Sequence, residues 1–196
     1  MAGHASAIQH LAVYASSSDA VEPVFREAAR ELGHLIGDRG YTLVYGAGSI
    51  GLMGVVARAV HERNGRVVGV IPEKLSALEI TYEASDELIV TTGMRDRKAI
   101  MEARADAFVA LPGGFGTLEE LLEVLTLKQL DYHNKPIVIL NVDGLFDGLL
   151  RQFETLFERS FTHDGHRDLY HVATTVAGVF EYLDTYTPSD RPRKVG

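Results

Sequence analysis

Short apolar runs alternate with amphipathic stretches along almost the whole chain, and this alternation limits the possible folds more than any other feature. Leu11 to Tyr14, Tyr41 to Tyr45, Arg66 to Ile71, Glu87 to Val90, Ala107 to Leu111 and Pro136 to Leu140 read as strands. Helical periodicity fills the intervals: Val24 to Asp38, Gly51 to about Asn64, Gly93 to Arg104, Leu118 to about Tyr132, Leu145 to Arg159 and Val176 to Tyr186. Strands separated by helices have to run parallel, with helices covering both faces of the sheet. The expected fold is therefore α/β, a Rossmann-like, doubly wound, mostly parallel sheet flanked by helices on both faces. With 196 residues and no internal repeat, one domain over residues 1–186 is expected. Residues 187–196, with two prolines and several charges, are expected to form a mobile tail.

In such sheets ligands bind beyond the carboxyl ends of the strands. Three turns fall at that edge. Ser16-Ser17-Ser18 follows the first strand, Gly46-Ala47-Gly48-Ser49-Ile50-Gly51 the second, and Pro112-Gly113-Gly114-Phe115-Gly116-Thr117-Leu118-Glu119-Glu120 the run that ends at Leu111. Three glycines lie within four positions of the last turn, which opens a helix. Glycine allows backbone N–H groups to approach a ligand, and a helix start adds partial positive charge and unpaired donors. The expected ligand is an anion, most plausibly a phosphate. Thr117-x-x-Glu120 also has the spacing of a capping box, which needs no ligand. Gly46-x-Gly48-x-x-Gly51 matches the dinucleotide fingerprint, with Glu73 as a possible ribose acid, although it follows the second strand rather than the first. On either reading Gly48 and Ser17 are candidate ligand contacts.

Arg97 shares a helical face with Ile100 and Met101. An arginine on an apolar stripe calls for a carboxylate partner, here Glu119 or Glu120, or for an anionic ligand. Lys98 has a local option in Glu102 at i+4. A glutamate beside a phosphate turn can face a sugar and stabilise an oxocarbenium-like transition state or orient water. His163-Asp164-Gly165-His166 lacks further ligands of fixed spacing for a metal. No lysine shows a local pattern that marks a Schiff base. The absence of cysteine removes disulfides and thiolate chemistry, and a net charge of −8 argues against nucleic acid. No apolar run has membrane-spanning length, and no basic segment with an apolar core opens the chain, so the expected compartment is the cytosol.

The quoted turns resemble a known family. Pro112 to Glu120 fits a PGGxGTxxE signature, Tyr45 to Gly54 is similar to a YGGGxxGLMG loop, and Met94-x-x-Arg97-Lys98 is similar to an M-x-x-R-K segment. Lys135-Pro136 and Leu140 to Gly144 also fit. The chain resembles, from about Leu11 to Tyr182, the LONELY GUY (LOG) family of cytokinin-activating phosphoribohydrolases, long labelled lysine decarboxylases. The resemblance implies a nucleotide-binding hydrolase domain that takes a nucleoside 5′-monophosphate and releases free base and ribose 5-phosphate. It implies catalysis by Arg97 and Glu120. It implies substrate contacts from Glu79, Lys98, Gly113, Gly114, Phe115, Gly116, Thr117, Leu118, Glu119 and Thr126. It implies a homodimer with active sites near the subunit interface and no metal or organic cofactor. Molybdenum-cofactor carriers share a similar fold, so a non-catalytic carrier is the alternative. Two residues depart from the family pattern: Ala47 stands where a glycine is usual, and Ser16 stands for the glycine of a Cys-Gly-Ser-Ser turn.

Overall fold

The computed structural model describes residues 8–76 and 81–188. Glu79 lies outside the described residues, as does the expected tail beyond Pro188. The strands are β1 (His10–Tyr14), β2 (Thr42–Tyr45), β3 (Arg66–Pro72), β4 (Glu87–Thr91), β5 (Ala107–Ala110), β6 (Ile137–Leu140) and β7 (His171–Ala173). The helices are α1 (Pro23–Asp38), α2 (Gly51–His61), α3 (Glu73–Ser76), α4 (Met94–Arg104), α5 (Phe115–Gln129), α6 (Asp147–Glu158) and α7 (Val176–Thr185). Short 3-10 turns occupy Val142–Gly144 and Asp164–Leu169.

The strands form one sheet of order β4-β3-β2-β1-β5-β6-β7, and every pairing is parallel. Residues of β1 alternate between the two faces. Leu11 and Val13 join a core with Leu32 and Ile36 of α1, Val56 and Val60 of α2, and Phe180 of α7. Ala12 and Tyr14 face Met101 of α4, Leu121 and Val124 of α5, and Phe153 and Phe157 of α6. Burial on both faces is what a parallel sheet between two helix layers requires, so the expected fold class is observed.

The chain builds outward from β1 to β4, then crosses to the other side of β1 to lay down β5, β6 and β7. The direction reverses between β1 and β5, which opens a crevice at their carboxyl ends. The Ser16 turn and the glycine turn flank it, and the Ser16 N–H donates to the Pro112 carbonyl at 3.2 Å.

Most boundaries lie within a residue or two of expectation; α2 and α5 each end three residues early, at His61 and Gln129, and three further differences stand out. β7 was not foreseen: it has three residues, of which only Ala173 is fully buried, too few for a periodic signal. Glu73–Ser76 closes into one helical turn in a stretch that reads as irregular. Helix α5 begins at Phe115, three residues before the expected Leu118.

The turn into α2 is pinned by backbone. Gly51 has φ +61°, and a Cβ there would sit 2.5 Å from the Ser17 carbonyl carbon and 2.6 Å from the Ser16 carbonyl oxygen. Both left-handed strain and a backbone collision oppose any side chain. Gly51→Ala is expected to lower stability by about 2–4 kcal/mol, measured by urea unfolding. An unfolding midpoint equal to the parent's would contradict this account of the turn.

Candidate active site

The glycine turn delivers an uncapped helix start. Gly114 is the N-cap of α5 and no side chain caps it. The first backbone bond of the helix runs from Leu118 N–H to the Gly114 carbonyl at 3.1 Å. The amides of Phe115, Gly116 and Thr117 have no acceptor among the described residues. Gly114, Phe115 and Gly116 are exposed, with open space where a Cβ would stand on either glycine, while Thr117 lies beneath them. The capping box does not form. Because the helix starts early, Thr117 is its third residue, only 4% exposed and packed against Gly113, where a Cβ would collide with the threonine side chain. The Thr117 hydroxyl has no hydrogen-bond partner among the described residues.

Glu120 turns inward to Arg97. The guanidinium Nη1 lies 3.1 Å from Glu120 Oε1, with the two side chains 10% and 9% exposed. Arg97 Nε donates to the Val70 carbonyl of β3 at 3.1 Å. Its Nη2 fills the space beside Gly46, where any Cβ would overlap it. Thus the first glycine of the dinucleotide-like loop makes room for an arginine. The ion pair offered as a structural explanation of Arg97 is present, and its partner is Glu120 rather than Glu119. Burial pushes the Glu120 carboxyl up to about 7; Arg97 and Lys98 oppose the rise, while Glu119 and Glu123 add to it. A carboxyl that exchanges its proton near neutral pH can serve as a general base or acid.

A second layer of charge lies above this pair. Lys98 does not pair with Glu102. It reaches across to α5, hydrogen-bonding Glu119 and lying 2.9 Å from Glu123 Oε2. Two acceptors on consecutive turns of the facing helix outcompete one half-buried neighbour on its own helix. Burial pulls the Lys98 ammonium down, but the bonds to Glu119 and Glu123 outweigh it and hold the group above its ordinary value. Glu119 stays open to solvent.

The remaining candidates scatter. Ser17 is exposed in the β1 turn at the crevice, and Leu118 is half-buried. Phe115 projects from the tip of the glycine turn, 93% exposed. Thr126 lies far along α5, its hydroxyl donating to the Leu122 carbonyl at 2.7 Å, and faces an apolar groove with Phe153, Phe157 and Phe161. Gly48 is buried under Met53 and bridges to Thr81. The dinucleotide reading loses its anion site: Gly51 N–H donates to Asp19 Oδ1 at 3.0 Å and Met53 N–H to the Ser16 carbonyl at 3.2 Å. The chain's own oxygens thus occupy the start of α2. His163 Nδ1 accepts from Gly165 N–H, and His166 bonds Thr162.

Sequence reasoning missed Tyr14 and Glu123. Tyr14 ends β1 below Glu120; burial pushes its phenol up, and the charge of Glu120 adds to the effect. Its place at the carboxyl end of a central strand was the available signal.

The profile of a family described as "Possible lysine decarboxylase" matches residues 53–183. The cytokinin riboside 5′-monophosphate phosphoribohydrolase LOG of Oryza sativa subsp. japonica is 44% identical over 183 residues, 93% of this chain and 76% of the relative. LOG2 of Arabidopsis thaliana, which bears the same enzyme name, is 41% identical over 93% of this chain and 86% of its own length. The chain belongs to the LOG family.

Among solved structures, the molybdenum cofactor carrier protein of Chlamydomonas reinhardtii is 26% identical with a TM-score of 0.70, covering 90% of this chain and 96% of that one. The molybdenum cofactor binding protein of Rippkaea orientalis, at 24% identity and a TM-score of 0.70 over the same shares, shows the common fold. The two departures from the LOG pattern differ in their local setting. Ala47 is buried in a left-handed conformation, φ +58°, where the usual glycine would carry no strain. The Ser16 hydroxyl accepts from Ser18 N–H at 3.0 Å and so folds onto its own turn.

The Glu120 carboxyl binds its proton more tightly in the fold than at its ordinary value of 4.5. Its contribution to stability is therefore fully present below that value and is lost as pH rises through about 7. Glu120→Gln removes this dependence but leaves Arg97 without its partner. The variant is expected to melt below the parent at pH 5 and to gain on it steadily towards pH 8. Parallel melting curves across that range would refute the burial of an ionisable group at this position.

Proposed function

We propose that this chain hydrolyses the N-glycosidic bond of cytokinin riboside 5′-monophosphates, AMP or both, releasing the free base and ribose 5-phosphate. The observation that carries the reading is the buried Arg97–Glu120 pair, whose glutamate stands on the helix that opens at the Gly114 turn with free backbone donors. The relatives' enzyme names support it independently.

In this reading the 5′-phosphate docks on the amides of Phe115 to Thr117 and the Thr117 hydroxyl, within the turn Gly113 to Leu118. Remote binding energy then orients the sugar towards Glu120. As the C1′–N bond breaks, the carboxylate stabilises the oxocarbenium-like centre and takes a proton from the attacking water. The new bond is C1′–O; the electrons of the broken bond leave with the base, whose nitrogen takes a proton from solvent, and Glu120 gives the proton it took from water back to solvent. Arg97 keeps the carboxylate in place and balances its charge. Lys98, Glu119, Ser17, Gly48 and Thr126 are proposed as further substrate contacts, together with Glu79. Lys98 is a poor imine-forming amine here, because its two carboxylate partners favour the charged form.

We further propose a homodimer. Leu122, Leu130 and Phe161 are exposed along α5 and beside its groove, an apolar surface that a second copy would cover. Residues 1–186 form the working domain, in the cytoplasm. Among the described residues no helix is long and apolar enough to cross a membrane.

The likeness to molybdenum cofactor proteins keeps a carrier as the second reading. A ligand retained through purification, with no base released from any 5′-monophosphate, would favour it. Under the hydrolase reading, Glu120→Gln loses about 10²–10⁴-fold in turnover while the fold survives, as followed by chromatographic release of base from AMP and isopentenyladenosine monophosphate. Wild-type turnover in that variant would remove Glu120 from catalysis. A base must be ionised to act, so kcat/KM rises with pH through a midpoint near 7.

The phosphate cradle makes a separate prediction. Adenosine should be a poorer substrate than AMP by at least about two orders of magnitude in kcat/KM, the loss of two charge-assisted hydrogen bonds. Thr117→Val should reduce part of that preference. Because Thr117 is not a cap, its melting temperature should change little. Equal kcat/KM for adenosine and AMP would reject the cradle.

A further inference from the structure

Helices α4 and α5 face one another through two layers of charge. The inner layer is Arg97 against Glu120. The outer layer is one ammonium, Lys98, between two carboxylates, Glu119 and Glu123. Lys98 follows Arg97 directly in α4, and Glu119 and Glu123 lie one before and three after Glu120 in α5. The layers are therefore adjacent on both helices, and they are separated from each other by no more than a helical turn. The Lys98 side chain is only 14% exposed, while Glu123 is 40% exposed and Glu119 55%. A part-buried ammonium is screened poorly by solvent, so its field on Glu120 depends on how completely its own partners neutralise it.

We propose that Glu123 is a positioning residue for this site: by sharing Lys98 with Glu119, it anchors the ammonium in the outer layer and so helps set the charge that Glu120 faces. The inference rests on the hydrolase reading for its consequence, though not for its electrostatics. The outer layer carries two negative charges and one positive, so it favours the protonated form of the carboxyl beneath it. Around Glu120, α4 contributes Arg97 and Lys98, α5 contributes Glu119 and Glu123, and β1 contributes the Tyr14 phenol, which also feels Glu102. The signs at Glu120 agree: Glu119 and Glu123 push its carboxyl up and Lys98 pulls it down. With two acceptors, Lys98 also stays held when one of them turns away. Glu119, the more exposed and the nearer to the glycine turn, is the one free to turn towards a sugar hydroxyl. Glu123 then retains the lysine.

The test is a carbon-13 NMR titration of the Glu120 carboxyl in the free protein, assigned by its disappearance in Glu120→Gln, alongside the pH profile of kcat/KM for AMP. In Glu123→Gln the Glu120 midpoint should move to lower pH by roughly half a unit or more. In Lys98→Met it should move to higher pH. The midpoint of the kcat/KM profile should follow the NMR midpoint in Glu123→Gln. Glu181→Gln, on α7 beneath the opposite face of the sheet, should move neither. An unmoved Glu120 midpoint in a Glu123→Gln protein of native circular dichroism overturns the proposal, even if turnover or melting temperature falls. An equal shift in Glu181→Gln also overturns it, because a loss of net charge would then suffice. A shifted midpoint with an unshifted profile overturns the role in the reaction. A shifted midpoint in a protein whose parent releases no base from any 5′-monophosphate supports the coupling and overturns the hydrolase reading instead.

Discussion

The arrangement at the crevice depends on one buried ion pair. Arg97 and Glu120 come from different helices, and each would carry an uncompensated charge in the interior without the other. The third participant is a backbone atom, the Val70 carbonyl, which ties the guanidinium to β3. Gly46 is the fourth, through the side chain it lacks. Four elements thus agree on the position of one carboxylate. In the proposed reaction, that agreement fixes the carboxylate's offset from the start of α5.

The two glycine turns show how similar local geometry reaches opposite ends. Both lead from a strand of the same sheet into a helix. At α2 the amides are satisfied from within, by the Asp19 carboxylate and the Ser16 carbonyl, and the turn becomes a packing device. At α5 the corresponding amides have no acceptor among the described residues, and Gly114 and Gly116 put no side chain over them. A fingerprint written only in glycines does not distinguish these cases, since it records what backbone can do and not which oxygens lie nearby.

Much of the architecture was legible because burial on both faces of a parallel sheet writes itself as apolar runs such as Ala107 to Leu111. β7 escaped because three residues at a sheet edge carry too little pattern. Within the site, the glycine turn and Arg97 could be singled out from spacing, whereas Glu120 was separated from Glu119 only by the family resemblance, and the contact with Arg97 by neither. Glu119 and Glu120 point about 100° apart on a helix, so which one meets Arg97 is decided by how α4 packs against α5. Lys98 makes the same point: the sequence offers Glu102 on the next turn, whereas the folded chain offers Glu119 and Glu123 across a helix interface. Thr117 and Glu120 have the spacing of a cap, yet the helix starts early, so Thr117 packs against Gly113 and Glu120 meets Arg97.

The crevice is lined by loops that do not stand independently. Ser16 donates its N–H to Pro112 and accepts from Met53 through its carbonyl, so the turns after β1 and β5 and the start of α2 are stitched at a single residue. Anyone wishing to transplant substrate preference between members of this family therefore inherits a constraint on what can be moved. A loop exchanged alone would arrive without the backbone partners that set its height. The natural unit of exchange is the three segments together, with Ser16 as the knot that makes them one part.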